Sequence, residues 1–140
     1  MKVKLVKSAK ELMDCFLIRK EVFVKEQNVA FDLEFDLDEL NQTVFIAYLN
    51  KKAVGTARVK LIDDYAKASR ICVLKEYRRH KVGQALMEAV IKFCKKKKCV
   101  KIKISAQVGA IKFYESLGFI TTSKVYIEAN TEHKSMEKTL

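Results

Sequence analysis

Residues 78–81 read Arg-Arg-His-Lys, and Val82-Gly83-Gln84-Ala85-Leu86 follow them directly. The second group opens the clearest helical pattern in the chain. The first turn of a helix has backbone N–H groups without intrahelical acceptors and carries the positive end of the dipole. A basic turn that opens a helix is therefore an anion site, best suited to a phosphate or pyrophosphate. Gly83 would let such an anion approach the backbone. Two readings fit these residues alone: a diphosphate cradle, or an ordinary strand–turn–helix with solvated basic side chains.

Other chemistry-bearing residues are few. Five acids fall between positions 32 and 39, with no base among them. They could bind or deprotonate an ammonium. Such a cluster is more often a solvated loop or a complement to nearby lysines. A calcium loop begun at Asp32 would place Leu37 and Thr43 where glycine and glutamate belong, and no metal is expected. The histidines are His80 and His133, the latter more often structural than catalytic in kind. Cys15, Cys72, Cys94 and Cys99 form no CxxC pair. Cys72 has no histidine or other base near it in sequence to activate it as a nucleophile.

These residues need elements to position them. Residues 2–7 alternate like a strand, with Val3 and Leu5 apolar. Ser8 and Glu11 fit a capping box, and the following helix would carry Leu12, Met13, Phe16 and Leu17 on its apolar side before bending over residues 19–26. Residues 43–49 and 53–62 read as a hairpin around Asn50-Lys51-Lys52, and residues 68–74 as a third strand after the Asp63-Asp64 turn. Over residues 82–97, Val82, Ala85, Leu86, Ala89, Val90, Phe93 and Cys94 repeat as one buried helical face. Val100, Ile102 and Ile104 alternate with lysines as a strand. Residues 109–117 form a short helix closed by Gly118, and residues 119–127 and 133–138 are the final strands. Strands and helices in this order predict an α/β fold, a mixed sheet with helices on its faces.

The chain has 140 residues, enough to bury a core without disulfides. No proline and only four glycines interrupt it, so a single domain, 1–140, is expected. With no signal-peptide apolar run and no apolar stretch near 18 residues, and with reduced cysteines in apolar surroundings, a soluble cytoplasmic protein without membrane association is expected. The net charge of +11 invites a nucleic-acid reading but equally suits a phosphate-rich ligand. The seven lysines between positions 92 and 103 have a single aromatic among them, Phe93 on the apolar helical face, and no series of interleaved aromatics for base stacking, which argues against nucleic acid.

The basic turn resembles the acyl-CoA signature of the GCN5-related N-acetyltransferases, Arg/Gln-x-x-Gly-x-Gly/Ala, with Arg78 first, Gly83 last and Lys81 in the place of the first glycine. Gln107, Ala110, Phe113-Tyr114 and Gly118-Phe119 resemble the family's second signature. Residues 19–27 and 34–38, Gly55-Thr56-Ala57-Arg58 and His133-x-x-Met136 extend the resemblance to small bacterial proteins of the ElaA and YjcF type.

The resemblance implies a mostly antiparallel twisted sheet of six to seven strands with helices on both faces, splayed between the fourth and fifth strands. It implies acetyl-CoA as co-substrate and direct acetyl transfer to a primary amine. Ile71, Cys72 and Val73 would pair with pantetheine through their backbone, and a Val73 N–H would polarise the thioester carbonyl. Arg78, Arg79, His80, Lys81, Val82, Gly83, Gln84 and Ala85 would hold the pyrophosphate, with Gln107, Ala110 and Phe113 also against the cofactor. Tyr114 would protonate the leaving thiolate. The strand before the turn has no carboxylate, so the family's base is missing from that place. Phe23, Glu26, Gln27 and His133 are the candidates for the acceptor side. The partner implied is a small-molecule or peptide amine; a homodimer is an open alternative, and so is a CoA-binding module without catalysis.

Overall fold

Alternating side chains and tight turns build the first half of the sheet. β1 (Lys2–Leu5) pairs antiparallel with β2 (Thr43–Leu49), β2 with β3 (Lys52–Ile62), and β3 with β4 (Tyr65–Val73). Asn50 and Lys51 both take positive φ, the conformation that matches a two-residue hairpin to the twist of its strands. The computed structural model describes residues 1–35, 39 and 41–140. Asp36, Leu37 and Asp38 of the acidic stretch, and Leu40, lie outside the described residues.

β5 (Lys101–Gln107) runs parallel to β4, and α3 (Val82–Lys96) supplies the crossover that a parallel neighbour requires. β8 (Thr131–Thr139) pairs antiparallel with β5 along the full length of β5. The short β6 (Ile120–Thr121) and β7 (Tyr126–Glu128) both pair with β8. Among the described residues the sheet has eight strands in the order β1-β2-β3-β4-β5-β8-β6, with β7 also on β8. The elements read from the sequence give seven, because residues 119–127 read as one strand. Ser123 divides them: its Oγ accepts the Ser135 N–H at 2.9 Å and donates to the Lys124 carbonyl, so a side chain replaces the ladder there.

α1 (Ala9–Arg19) starts as expected, with the Ser8 Oγ accepting the Glu11 N–H at 3.1 Å. Its buried side differs from the expected one. Cys15, Ile18 and Arg19 are buried, whereas Met13 and Leu17 are both 63% exposed. The helix is rotated so that Arg19 turns inward, and Cys15, Ile18 and Val22 fall at the i, i+3, i+7 spacing of the buried stripe. A π-helical stretch (Lys20–Glu26) occupies the region expected to bend, and α2 (Phe31–Glu34) follows. Wide turns of this kind recur at functional sites.

α3 buries Val82, Leu86, Val90 and Cys94 as read, with Met87 added to the stripe. It crosses β3 so closely at Gly55 that a Cβ there would lie 3.0 Å from both Leu86 Cδ1 and Val82 Cγ1. α4 (Ile111–Ser116) is preceded by a 3-10 turn (Val108–Ala110), and Gly118 follows with a φ of 92°. The main core joins α3 and α4 to the sheet through Phe45, Val59, Leu86, Ile102, Tyr114, Phe119 and Met136. A smaller cluster of Ile18, Val22 and Cys72 joins α1 and the π-helical stretch to β4. Helices thus cover both faces.

Buried charge holds the α1 side together. The Arg19 guanidinium, 2% exposed, donates to Glu34 Oε2 at 2.7 Å, to the Glu34 carbonyl at 2.8 Å and to Glu39 Oε1 at 2.6 Å. Arg58 pairs with the same Glu39 oxygen, and Arg70 reaches Glu34 Oε2 at 3.1 Å. Removing one member of such a group strands a buried charge, which costs about 3–5 kcal/mol. Arg19→Ala is therefore expected to lower unfolding stability by about that amount in urea titration. Lys10→Ala, which breaks the exposed Lys10–Asp14 pair, should change it by less than about 1 kcal/mol. Similar losses in both variants would show that the buried group does not anchor α1.

Candidate active site

The cleft begins where the sheet stops being continuous. β4 and β5 pair only at Ala66↔Ile102 and Lys67↔Lys103. Beyond Lys67 β4 keeps its partner β3 on one edge, and its other edge faces the gap. A bulge in β4 lies in the same stretch. Thr56 opposes Cys72 while Arg58 opposes Ser69, so β4 has one residue more than β3. Arg70 sits in that bulge with a φ of 53°. An extra residue bends a strand and reverses which face each later side chain meets. Before the bulge Ala66 and Ala68 point into the main core; after it Ile71 and Val73 pack there, and Cys72 joins the α1 side. Arg70 holds the bulge by donating from Nη2 to the Leu33 and Glu34 carbonyls at 3.1 and 3.2 Å. The resulting cleft has a volume of about 820 Å³.

At one end the cleft meets the start of α3. Ala85 is the first residue whose N–H bonds within the helix, to the Lys81 carbonyl at 3.0 Å. Lys81 itself takes φ 61° and ψ 21° and offers no side-chain cap. The left-handed conformation that a glycine would favour is thus adopted by a lysine, so the turn keeps its shape and adds a cation. Arg79 is left-handed as well. Successive N–H groups in such turns form an anion-binding concavity. Arg79, Lys81, Val82, Gly83 and Gln84 line this end. A Cβ on Gly83 would lie 3.3 Å from Phe113 Cζ, so the glycine lets α3 sit against the Phe113 ring.

Arg78 spans the cleft edge. Its Nη atoms donate to both Glu26 oxygens at 2.7 Å, and its Nε donates to the Val73 carbonyl at 3.0 Å. The guanidinium holds the Glu26 carboxyl below the usual carboxylate range. Glu26, expected beside the acceptor, therefore lies on Arg78 and outside the cleft wall. His80 is exposed with Nδ1 3.0 Å from the Arg78 carbonyl, and it too lies outside the wall, as does Ala85.

In the middle of the cleft is Tyr114, packed edge-on between Phe113 and Phe119. It is 7% exposed, and its hydroxyl makes no hydrogen bond to another described residue. Burial, with the Cys72 thiol nearby, pushes the phenol well above its ordinary value, so it stays protonated around neutral pH. Burial pushes the Cys72 thiol up even more plainly, which suits a thiol and not a thiolate nucleophile. Cys15 is likewise raised, to about 11.

The far end carries Phe23, Gln27, Gln107 and His133. Gln27 and Gln107 exchange side-chain hydrogen bonds across the gap, the shorter at 2.7 Å. His133 is buried on β8, and its Nδ1 lies 2.8 Å from the Thr131 carbonyl. Of the acidic stretch, Glu34 lines the cleft, and sequence reasoning missed Ser69, Arg70, Ser105 and Glu128, which line it too. Ser105 had a signal, since it alternates with Ile104 and Ala106 on β5. Arg70 had none, because only the bulge turns it inward. Among the described residues no group of three or more His, Cys, Asp or Glu could hold a metal ion. None of their helices is long and apolar enough to cross a membrane.

The acetyltransferase (GNAT) domain model matches residues 6–140. The chain is 36% identical over 139 residues to the uncharacterized N-acetyltransferase YjcF of Bacillus subtilis, covering 99% of each. It is 31% identical over 137 residues to ElaA of Escherichia coli, covering 94% of this chain and 89% of that protein. The crystal structure of E. coli ElaA superposes with a TM-score of 0.87 at 28% identity, over 98% of each chain. An aminoglycoside 6'-N-acetyltransferase complexed with coenzyme A shares the fold, with a TM-score of 0.80 at 13% identity over 99% of this chain and 97% of that one. A sheet split between β4 and β5, an uncapped helix at the split and these relationships lead to one assignment: the chain belongs to the GNAT acetyltransferase family, in the subgroup of ElaA and YjcF, and is an N-acetyltransferase.

Proposed function

We propose that residues 1–140 act as one domain that transfers acetyl from acetyl-CoA directly to a primary amine. The observation that carries this reading is the split sheet, whose open β4 edge leads from the uncapped start of α3 to the uncommitted hydroxyl of Tyr114. Lys81, Val82, Gly83 and Gln84 would hold the pyrophosphate through backbone N–H groups, with Arg79 and Lys81 adding charge. Residues 71–73 would pair with the pantetheine arm, and Phe113, Ala110 and Gln107 would line its other side. The fold neighbour that holds coenzyme A supports the same ligand class. Acetyl-CoA would supply an activated acetyl thioester.

The chain's own groups then have distinct tasks. Tyr114 is protonated and can give its proton to the departing sulfur as a general acid. The burial that keeps it protonated also makes it a weaker acid, so its contribution should be modest. Cys72 is held as a neutral thiol against Ile18 and Val22, which favours direct transfer over an acyl-cysteine. Arg78 takes a positioning role, tying the end of β4 to the π-helical stretch.

Thermal shift tests the cofactor. At 100 times Kd, acetyl-CoA should add about 2.7 kcal/mol of stability; no shift at saturation would contradict the assignment. Gly83→Asp should abolish that shift by placing a carboxylate where the pyrophosphate would sit. An acid in the first turn favours the helix, whereas its Cβ would press on Phe113 Cζ at 3.3 Å, so the Tm of the ligand-free variant is measured beside the shift. Gly109→Asp, where an added Cβ meets nothing within 4 Å, should bind more nearly as wild type, and equal losses would mean that the cradle lies elsewhere.

Tyr114→Phe tests the proton donor. Turnover, followed as free CoA, should fall by roughly 10²-fold, with acetyl-CoA affinity and Tm nearly unchanged. The loss should shrink as pH rises, because a thiolate needs less help to leave. Wild-type turnover across the pH range would show that Tyr114 is structural.

A further inference from the structure

The bulged strand β4 offers no carboxylate to deprotonate an acceptor. The opposite wall of the cleft contains an arrangement of side chains with that capacity. Ser105 on β5, Tyr126 and Glu128 on β7, and His133 and Ser135 on β8 form one connected group. Ser105 Oγ donates to Glu128 Oε2 at 2.8 Å. Having given its proton there, Ser105 must accept from the Tyr126 hydroxyl, with which it is in contact. Tyr126 in turn accepts from Ser135 Oγ at 3.3 Å. All three hydroxyls thus point their protons toward one carboxylate.

Glu128 Oε2 lies 3.8 Å from His133 Nε2. That is too long for a hydrogen bond between them, and it is a span across which one ammonium can donate to both atoms. The His133 ring is fixed for this role. Its Nδ1 donates to the Thr131 carbonyl, so in the neutral ring the lone pair is on Nε2, on the Glu128 side, and the ring stacks on Tyr126 with centroids 6.2 Å apart. The groups facing it are Gln107 and Ser105 from β5 and Tyr126 and Glu128 from β7. The 3-10 turn before α4 brings no charge. Glu132 and Lys134 flank His133 on β8 and alternate to the other face. Glu128 is thus the one anion beside Nε2 among the described residues.

We propose that Glu128 and His133 form the ammonium site of the acceptor, with His133 Nε2 as the base. This rests on the acetyl-transfer reading above. The acceptor R–NH3+ donates to both groups and gives one proton to Nε2, and the Glu128 carboxylate balances the imidazolium. The freed nitrogen lone pair forms the C–N bond as the C–S bond breaks. The sulfur leaves with the Tyr114 proton, and Tyr114 regains a proton from the acylated nitrogen. The imidazolium then loses its proton to solvent, so the balance is one proton released for each acetyl transferred. The class of acceptor is a cationic primary amine slim enough to reach His133 on β8 between Ser105 of β5 and Glu128 of β7.

Two amines separate this proposal from its alternatives. 1,4-Diaminobutane is protonated at neutral pH, whereas hydroxylamine is already neutral there and needs no base. With 1,4-diaminobutane, His133→Gln should lose about 10²-fold in kcat/KM, and Glu128→Gln should lose in the same direction. With hydroxylamine both losses should be clearly smaller, because no proton has to be removed before attack. In the absence of acetyl-CoA, the 15N signal of His133 Nε2 should move as 1,4-diaminobutane is added, and Glu128→Gln should abolish the response. Glu128 is half exposed, so its variant keeps the test open if His133→Gln fails to fold. Equal losses with both amines, or an imidazole signal indifferent to the diamine, would overturn the proposal while acetyl transfer stands. A wild-type protein that binds acetyl-CoA but acetylates neither amine would overturn the transfer reading itself.

Discussion

A β-sheet resists being opened, because every interior strand edge carries N–H and C=O groups that must find partners. Here the edge of β4 leaves β5 after two residue pairs, and the rest of the structure depends on how that opening is held. Arg70 is the pivot. It accepts a left-handed backbone, which costs a non-glycine residue on the order of 1–3 kcal/mol. In return its side chain ties β4 to α2 through two carbonyls and the Glu34 carboxylate. The opening is thus held from the α1 side by charge, while the two halves of the sheet stay joined at Ala66 and Lys67.

The same group explains why so much charge is buried in a small protein. Burial pushes the Glu34 carboxyl up, and Arg19, Arg70 and Arg58 pull it the other way. Arg19 is also flanked by Phe16 and Phe35, with its guanidinium carbon 4.7 Å from the Phe35 ring centroid. An apolar core could have joined α1 to the sheet with less desolvation. Directional pairs do something that an apolar core does not: they set the rotation of α1 and the position of α2 beside the cleft.

The two ends of the cleft use opposite electrostatics. At the start of α3 the groups facing the gap are backbone donors and cations, with no acid in the first helical turn. At the β5–β7–β8 wall the hydroxyl chain converges on a carboxylate beside a histidine. A cofactor with phosphates and a cationic acceptor would be sorted to opposite ends by field alone. Tyr114 lies between them in apolar surroundings, where a neutral donor is the stable form. Glu26 on Arg78 and Gln27 on Gln107 close the edges from the π-helical stretch, so that stretch touches both halves of the split sheet.

The sequence by itself determined the elements whose signals are local. The period of Val82 to Cys94, the Ser8–Glu11 cap, the Asn50-Lys51 hairpin and the alternation of Ile102 and Ile104 depend on neighbours a few residues apart. So do the basic turn before α3 and the short helix bearing Phe113-Tyr114, and the two signatures there led to the family. Tertiary structure alone decided three things. The rotation of α1 was set by Arg19 reaching Glu34 and Glu39, against the stripe that Met13 and Leu17 suggested. The break between β6 and β7 was set by Ser123 bonding to Ser135, a partner twelve residues away. The convergence of Ser105 with Tyr126, Glu128 and His133 came from the antiparallel pairing of β5 with β8, strands far apart in sequence. Each of these depends on which groups meet across the fold to satisfy buried charge or open hydrogen bonds, and local spacing does not encode such meetings.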